Sequence, residues 1–198
     1  MDNEITFLCP CGEVTSTLIE AGSAMGDHIV CHCTDCQNFA RYLGAGERVL
    51  GFHGGTELYQ GRCAKMRVTQ GIEKLACLHL TDQPTLRWYA TCCRTPMFNS
   101  FKNGRMPYLT TFLANCDTKQ VEAKLGPVIG HLSLPDTAEG AQDAPRMSFG
   151  KLMFRSFRRM AKELVSGDRR RSMLFDPKTL DPIYPPHRLT KAERRSLL

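Results

Sequence analysis

The stretch Cys31-His32-Cys33-Thr34-Asp35-Cys36-Gln37 places three thiols within six residues, separated by one and by two positions. Thiols so spaced cannot all point the same way along a regular strand or helix. A tight loop around one ion aims all of them inward, at the ~2.3 Å zinc–sulfur distance. The competing reading is three buried, inert cysteines, because a free cysteine packs as a small hydrophobe. Two chelating spacings within one loop favour the metal. His32 sits between two candidate ligands and is expected to face away, since a tetrahedral ion takes few donors from a single loop.

A second chelating pair stands in Cys9-Pro10-Cys11-Gly12, where Pro and Gly supply the turn that brings two sulfurs together. A third cysteine motif follows a β-prone aromatic run, in Arg87-Trp88-Tyr89-Ala90-Thr91-Cys92-Cys93-Arg94-Thr95-Pro96. Cys63, Cys77 and Cys116 stand alone and read as packing residues.

The remaining sequence must position these motifs. The 198 residues suffice for one domain with a real core, or one domain plus an extension. No apolar run approaches the ~20 residues of a membrane span. The start, Met1-Asp2-Asn3-Glu4, lacks the basic and apolar regions of a secretory signal, which points to the cytoplasm. In that reducing compartment the 10 cysteines are better explained by metal than by disulfides.

The net charge of +6 is unevenly spread: residues 146–198 hold 14 Lys and Arg against 5 Asp and Glu, and residues 1–145 hold 12 against 15. A slightly acidic body therefore carries a strongly basic tail.

Short β-prone runs at Ile5-Thr6-Phe7-Leu8, Val14 to Ile19, Ile29-Val30, Val49 to Phe52, Thr56 to Tyr59, Lys65 to Val68 and Lys74 to Leu80 alternate with Gly or polar turns. They predict an antiparallel, mainly β body over 1–130. The segment Asn38 to Leu43 predicts one or two helical turns before Gly44. Residues 131–146 read as a linker, since Leu134 to Pro145 is polar and carries Pro and Gly. Residues 147–198 read as a basic helix and extended tail. Ser148 is the expected N-cap and Gly167 the stop. Phe149, Leu152, Met153, Phe157, Met160, Ala161 and Leu164 form the apolar stripe between them. Such a helix lies on an acidic membrane surface or, more often, packs on its own domain or on a partner subunit, the latter giving a homodimer. A proline-rich segment over Leu174 to Pro186 is expected to wrap the body, and Thr190 to begin a last short helix with a capping box.

The succession C-x-C-G, C-H-C-x-x-C-Q, aromatic run and C-x-T-P over about residues 5–116 resembles the glutathione-dependent formaldehyde-activating enzyme family, which includes centromere protein V. The Arg-Trp-Tyr-Ala-x-Cys-Cys-x-Thr-Pro run is similar to a bacterial branch of that superfamily without an assigned function. The resemblance implies a β-tent fold of several small antiparallel sheets around zinc knuckles, with one or two zinc ions per chain. It also implies structural ligands at Cys9, Cys11 and Cys93, and a catalytic zinc on Cys31, Cys33 and Cys36 with an open position. The family's remaining structural cysteine falls on Ala90, and Cys92 stands beside Cys93 instead. Neighbours on a strand face opposite ways. Three arrangements are therefore open: Cys92 bends in to complete the structural site, turns to close the other zinc, or leaves the structural site lost.

An open three-thiolate zinc has a formal charge of −1 and is a weaker Lewis acid than zinc on neutral imidazoles. Holding a soft thiolate suits it better than deprotonating water. That agrees with the reaction class the resemblance implies, carbon–sulfur lyase chemistry on thiol (glutathione-type) adducts of small aldehydes. A bound thiolate would call for cations nearby; Arg41 and Arg94 are candidates by sequence position, though both read more simply as surface residues. No G-x-S-x-G or phosphate loop occurs, and Gly54-Gly55-Thr56 reads as a turn. The run Arg169-Arg170-Arg171 lacks aromatic interleaving, so no specific nucleic-acid partner is expected. The alternative function is a non-catalytic zinc-stabilised module whose basic tail meets a protein or anionic partner.

Overall fold

Alternation of buried and exposed side chains builds the first strand, β1 (Ile5–Leu8), in which Ile5 and Phe7 point inward. It pairs antiparallel with β2 (Thr15–Leu18). The structure, a computed structural model, describes residues 3–135 and 142–197. Next in the chain come β3 (Asp27–Cys31), α1 (Thr34–Tyr42), α2 (Gly46–Val49), β4 (Thr56–Arg62), β5 (Met66–Gln70), β6 (Leu75–His79), β7 (Thr85–Ala90), β8 (Thr95–Phe101) and β9 (Tyr108–Phe112). The last elements are α3 (Thr118–Leu125), β10 (Gly130–Leu132), α4 (Phe149–Ser166), β11 (His187–Arg188) and α5 (Lys191–Arg195).

The strands form a three-stranded sheet in the order β1-β2-β5 and an eight-stranded sheet in the order β10-β3-β4-β9-β8-β7-β6-β11. The mainly β architecture expected from the short β-prone runs is present. It is not wholly antiparallel, because β10 joins β3 and β11 joins β6 in parallel. Both additions come from sequence beyond the β-rich centre and cover strand edges that would otherwise offer unpaired backbone groups.

Two clusters of side chains lie against the large sheet. One gathers Ile5, Phe7, Leu86, Trp88, Phe98 and Leu109. Phe175, from the proline-bearing C-terminal segment, stands edge-on to Trp88 with ring centroids 6.1 Å apart, so that segment wraps the body. The other cluster holds Cys31, Cys36, Phe39, Leu58, Phe112 and Leu152. The period of two along β7 divides Trp88 from Arg87, which lies with its guanidinium carbon 5.6 Å from the Phe39 ring centre.

The linker expected over 131–146 begins within a strand: β10 runs from Gly130 to Leu132, and His131 bridges Arg146. Residues 136–141 of that linker lie outside the described residues. Ser148 caps α4 by accepting from the Lys151 N–H at 3.2 Å, and Gly167 ends it with a left-handed φ of 74°. Thr190 and Glu193 make the expected capping box of α5.

The buried face of α4 differs from the expected stripe. It consists of Leu152, Ser156, Met160 and Glu163, while Phe149 and Phe157 are exposed. The strands beneath decide this. Arg62 on β4 is 6% exposed and needs a carboxylate, which Glu163 supplies at 3.0 Å. Ser156 donates to Gln60 and to the Leu152 carbonyl. A buried, unpaired arginine costs more than a phenyl ring left in water, so polar pairing sets the helix rotation.

Candidate metal centres

Cys9 follows β1 directly and enters a turn closed by the Gly12 N–H on the Cys9 carbonyl at 2.8 Å, with Gly12 at a φ of 77°. The Val14 N–H donates to Cys9 Sγ at 3.2 Å, a bond that favours thiolate. On the other side, β7 stops at Ala90, and residues 91–94 form a turn rather than a strand, reversed at Arg94 with a φ of 51°. The Thr91 N–H anchors that turn on the Lys74 carbonyl at 2.8 Å. Strand alternation therefore does not apply to Cys92 and Cys93, and both face Cys9 and Cys11.

The four Sγ atoms lie within 4.8 Å of one another. Cys9 to Cys11 is 3.5 Å, Cys9 to Cys92 3.8 Å, Cys11 to Cys92 3.3 Å and Cys92 to Cys93 3.9 Å. Four sulfurs bound tetrahedrally at ~2.3 Å would stand about 3.8 Å apart. The donor set thus fits a closed four-thiol site, and the Cys92 sulfur lies with Cys9, Cys11 and Cys93 rather than with the triplet. The shared hydrogen bond with Cys92 draws the Cys11 thiol below its ordinary value, and burial lifts that of Cys9.

The other group joins Cys31 at the end of β3, Cys33 at the N-cap of α1 and Cys36 in its first turn. Their Sγ atoms also lie within 4.8 Å of one another. The Gln37 side chain closes the loop by donating from Nε2 to the His32 carbonyl at 3.0 Å. The His32 ring points away from the thiols and lies 3.0 Å, Nε2 to Nδ1, from His131. Cys92 belongs to the first group, so this second group consists of three thiols.

The three thiols line a cavity of about 170 Å³, whose walls also include Arg87, Asn99, Tyr108, Thr110 and Phe149. Arg87 Nη1 donates to Cys36 Sγ at 3.5 Å and to Asn99 Oδ1 at 3.2 Å, and Nη2 lies 3.7 Å from Asp35. Hydrogen bonds from Cys31 and Cys33, and then the Arg87 charge, hold the Cys36 thiol well below its ordinary value. The same shared protons push Cys31 far up. Cys33, lowered by its bond to Cys31, is nonetheless pushed up to about 11 by Cys36 and by burial. Burial, reinforced by Cys36 and Cys31, also raises the Tyr108 phenol, which keeps its proton at neutral pH.

Arg41 and Arg94 do not provide the charge at the triplet. Arg41 donates to Asn38 and Gln37, and Arg94 donates to the carbonyls of Tyr42 and Leu43 at the end of α1. The cation at the thiols is Arg87, 3% exposed. Its sequence signal was an arginine inside a β-prone aromatic run, where a charge needs a buried partner. Cys63 and Cys77 pack as expected, beside the Ser172 hydroxyl and the Tyr184 carbonyl.

No curated protein matches this chain. Among solved structures, a Rhodobacter sphaeroides protein is similar at 18% identity, with 57% of this chain and 88% of that one covered and a TM-score of 0.40. The profile of a protein family described as a family of unknown function, DUF6151, matches residues 1–183, from the first cysteine knuckle through α4 and into the C-terminal segment. The chain belongs to that family.

Proposed function

We propose that the protein is a zinc enzyme of the carbon–sulfur lyase type that makes or cleaves adducts between a thiol and a small aldehyde at Cys31, Cys33 and Cys36. The observation that carries this reading is three convergent thiols lining a cavity of about 170 Å³ beside a buried guanidinium. All-sulfur donors suit zinc, and the 3.3–3.9 Å separations of the other group suit a second, closed zinc. The resemblance of the cysteine motifs to the glutathione-dependent formaldehyde-activating family supports it, and we read the two sheets as a β-tent on the same ground.

A zinc held by the triplet would supply a soft Lewis acid able to keep an incoming thiol as thiolate. The chain does the rest. Arg87 offsets the negative charge that three thiolates and a substrate sulfur accumulate. The cavity of about 170 Å³ is large enough for a small aldehyde and the sulfur that meets it. A larger thiol extends past Phe149 at the rim. As the carbon–sulfur bond forms, the carbonyl π pair moves to oxygen, which takes a proton equivalent to the one the thiol gave up. Tyr108, which holds its proton, and Thr110 are hydroxyl-bearing residues in the cavity wall that could donate to this oxygen. Cleavage runs the same steps backwards.

The test is exchange NMR of carbon-labelled formaldehyde with glutathione, with and without the zinc-loaded protein. Faster formation and breakdown of the adduct is expected, and it should disappear in Cys33→Ala. An unchanged rate with zinc bound would leave the module reading, in which the ions only hold the sheets together.

A further inference from the structure

The docked face of α4, set by Arg62, Gln60 and their partners, leaves the aromatic residues of the helix in water. Phe154 is 74% exposed, Phe157 61% and Val165 90%. At ~100° per residue Phe154 and Val165 fall on the side away from Leu152, Ser156, Met160 and Glu163, and Phe157 falls on the flank of that face. Lys151, Arg158 and Lys162 are exposed on the adjoining face and have no acidic partner among the described residues.

Beside them lies a cleft of about 540 Å³, walled by Arg155, Arg158, Arg159 and Lys162 with Phe154 and Met25. Asp27 answers Arg155 and Arg159 together, one carboxylate for two guanidiniums, and Arg159 Nε has no partner. The cleft is therefore cationic, with a phenyl at its lip.

We propose that this face of α4 docks on an anionic phospholipid surface. Phe154, Phe157 and Val165 enter the headgroup–acyl boundary, and a lipid phosphate seats in the cleft between Arg158, Arg159 and Lys162. Charge complementarity selects this occupant. The chain from residue 146 onward holds 14 Lys and Arg against 5 Asp and Glu, which draws it towards a negative surface over a Debye length. A second copy of the chain on the same face would set Lys151, Arg158 and Lys162 against their own duplicates, an arrangement that like charges oppose. A free phosphate accounts for the cleft but not for three apolar side chains left in water. No described helix is long and apolar enough to cross a membrane; this face lies along one.

The experiment is flotation of the full chain with vesicles of phosphatidylcholine alone, or of phosphatidylcholine with phosphatidylglycerol, at low and high salt. Binding to the anionic vesicles is expected to exceed binding to the neutral ones at least roughly tenfold and to weaken with salt. Phe154→Ala/Phe157→Ala and Arg158→Glu/Lys162→Glu should each cut it about tenfold or more. These side chains are exposed, and unchanged circular dichroism and melting confirm the fold of each variant. Absence of binding, equal binding to neutral vesicles, or binding that both variants leave intact overturns the proposal. So does a dimer broken by Phe154→Ala/Phe157→Ala, or thermal stabilisation by inorganic phosphate, if either occurs without vesicle binding.

Discussion

Arg87 Nη1 lies 3.5 Å from Cys36 Sγ, which joins β7, an interior strand of the eight-stranded sheet, to the first turn of α1 at the thiol triplet. One buried cation thereby orients a thiol and offsets its charge, and Asn99 at 3.2 Å holds the guanidinium in place.

Arg87→Met keeps much of the side-chain volume and removes the charge. Loss of a preorganised donor of this kind is expected to lower adduct exchange by roughly 10²-fold. Zinc content should stay unchanged, and elemental analysis beside the exchange rate separates a positioning role from loss of the ion.

Cys11→Ser/Cys92→Ser removes two of the four thiols that would hold the closed zinc. Its zinc content should fall by one ion per chain and its melting temperature should drop, because a closed structural site adds its binding energy to the fold. A variant with undiminished zinc would place that ion elsewhere.

Glu163 is fully buried against Arg62. Glu163→Ala strands that guanidinium, although Asp168 remains 3.1 Å away. A loss of about 3 kcal/mol in urea unfolding is expected, near the lower end of what breaking a buried pair costs.

His28 has hydrogen bonds of 2.7 Å to both Glu57 Oε1 and the Gly126 carbonyl. Burial alone would push its imidazole down, but these bonds outweigh burial and hold it above the ordinary value. A raised histidine stabilises the fold fully below the unfolded value of about 6.5 and loses that contribution as pH rises through the folded value. Urea midpoints of the protein and of His28→Gln should therefore converge as pH rises above the unfolded value of about 6.5.

The parts legible in the sequence were those with local causes. Ile5–Leu8 alternates, Ser148 and Thr190 cap, Gly167 ends a helix, and Cys31, Cys33 and Cys36 share one loop. What stayed hidden depends on distant partners. The direction of Cys92 follows from a turn at Arg94 that strand alternation does not foresee. The rotation of α4 follows from Arg62 and Gln60, roughly a hundred residues earlier, and the parallel additions of β10 and β11 depend on which edges β3 and β6 leave open. The sequence assigned Arg87 no role, because its partners Cys36 and Asn99 lie 51 and 12 residues away.

Zinc X-ray absorption on Cys11→Ser/Cys92→Ser, in which the triplet is the intact thiol group, measures the coordination that everything at this site depends on. Three sulfurs at ~2.3 Å with one lighter, exchangeable neighbour is the predicted shell. Four sulfurs, or no zinc bound to Cys31, Cys33 and Cys36, would contradict an open thiol-exchanging centre.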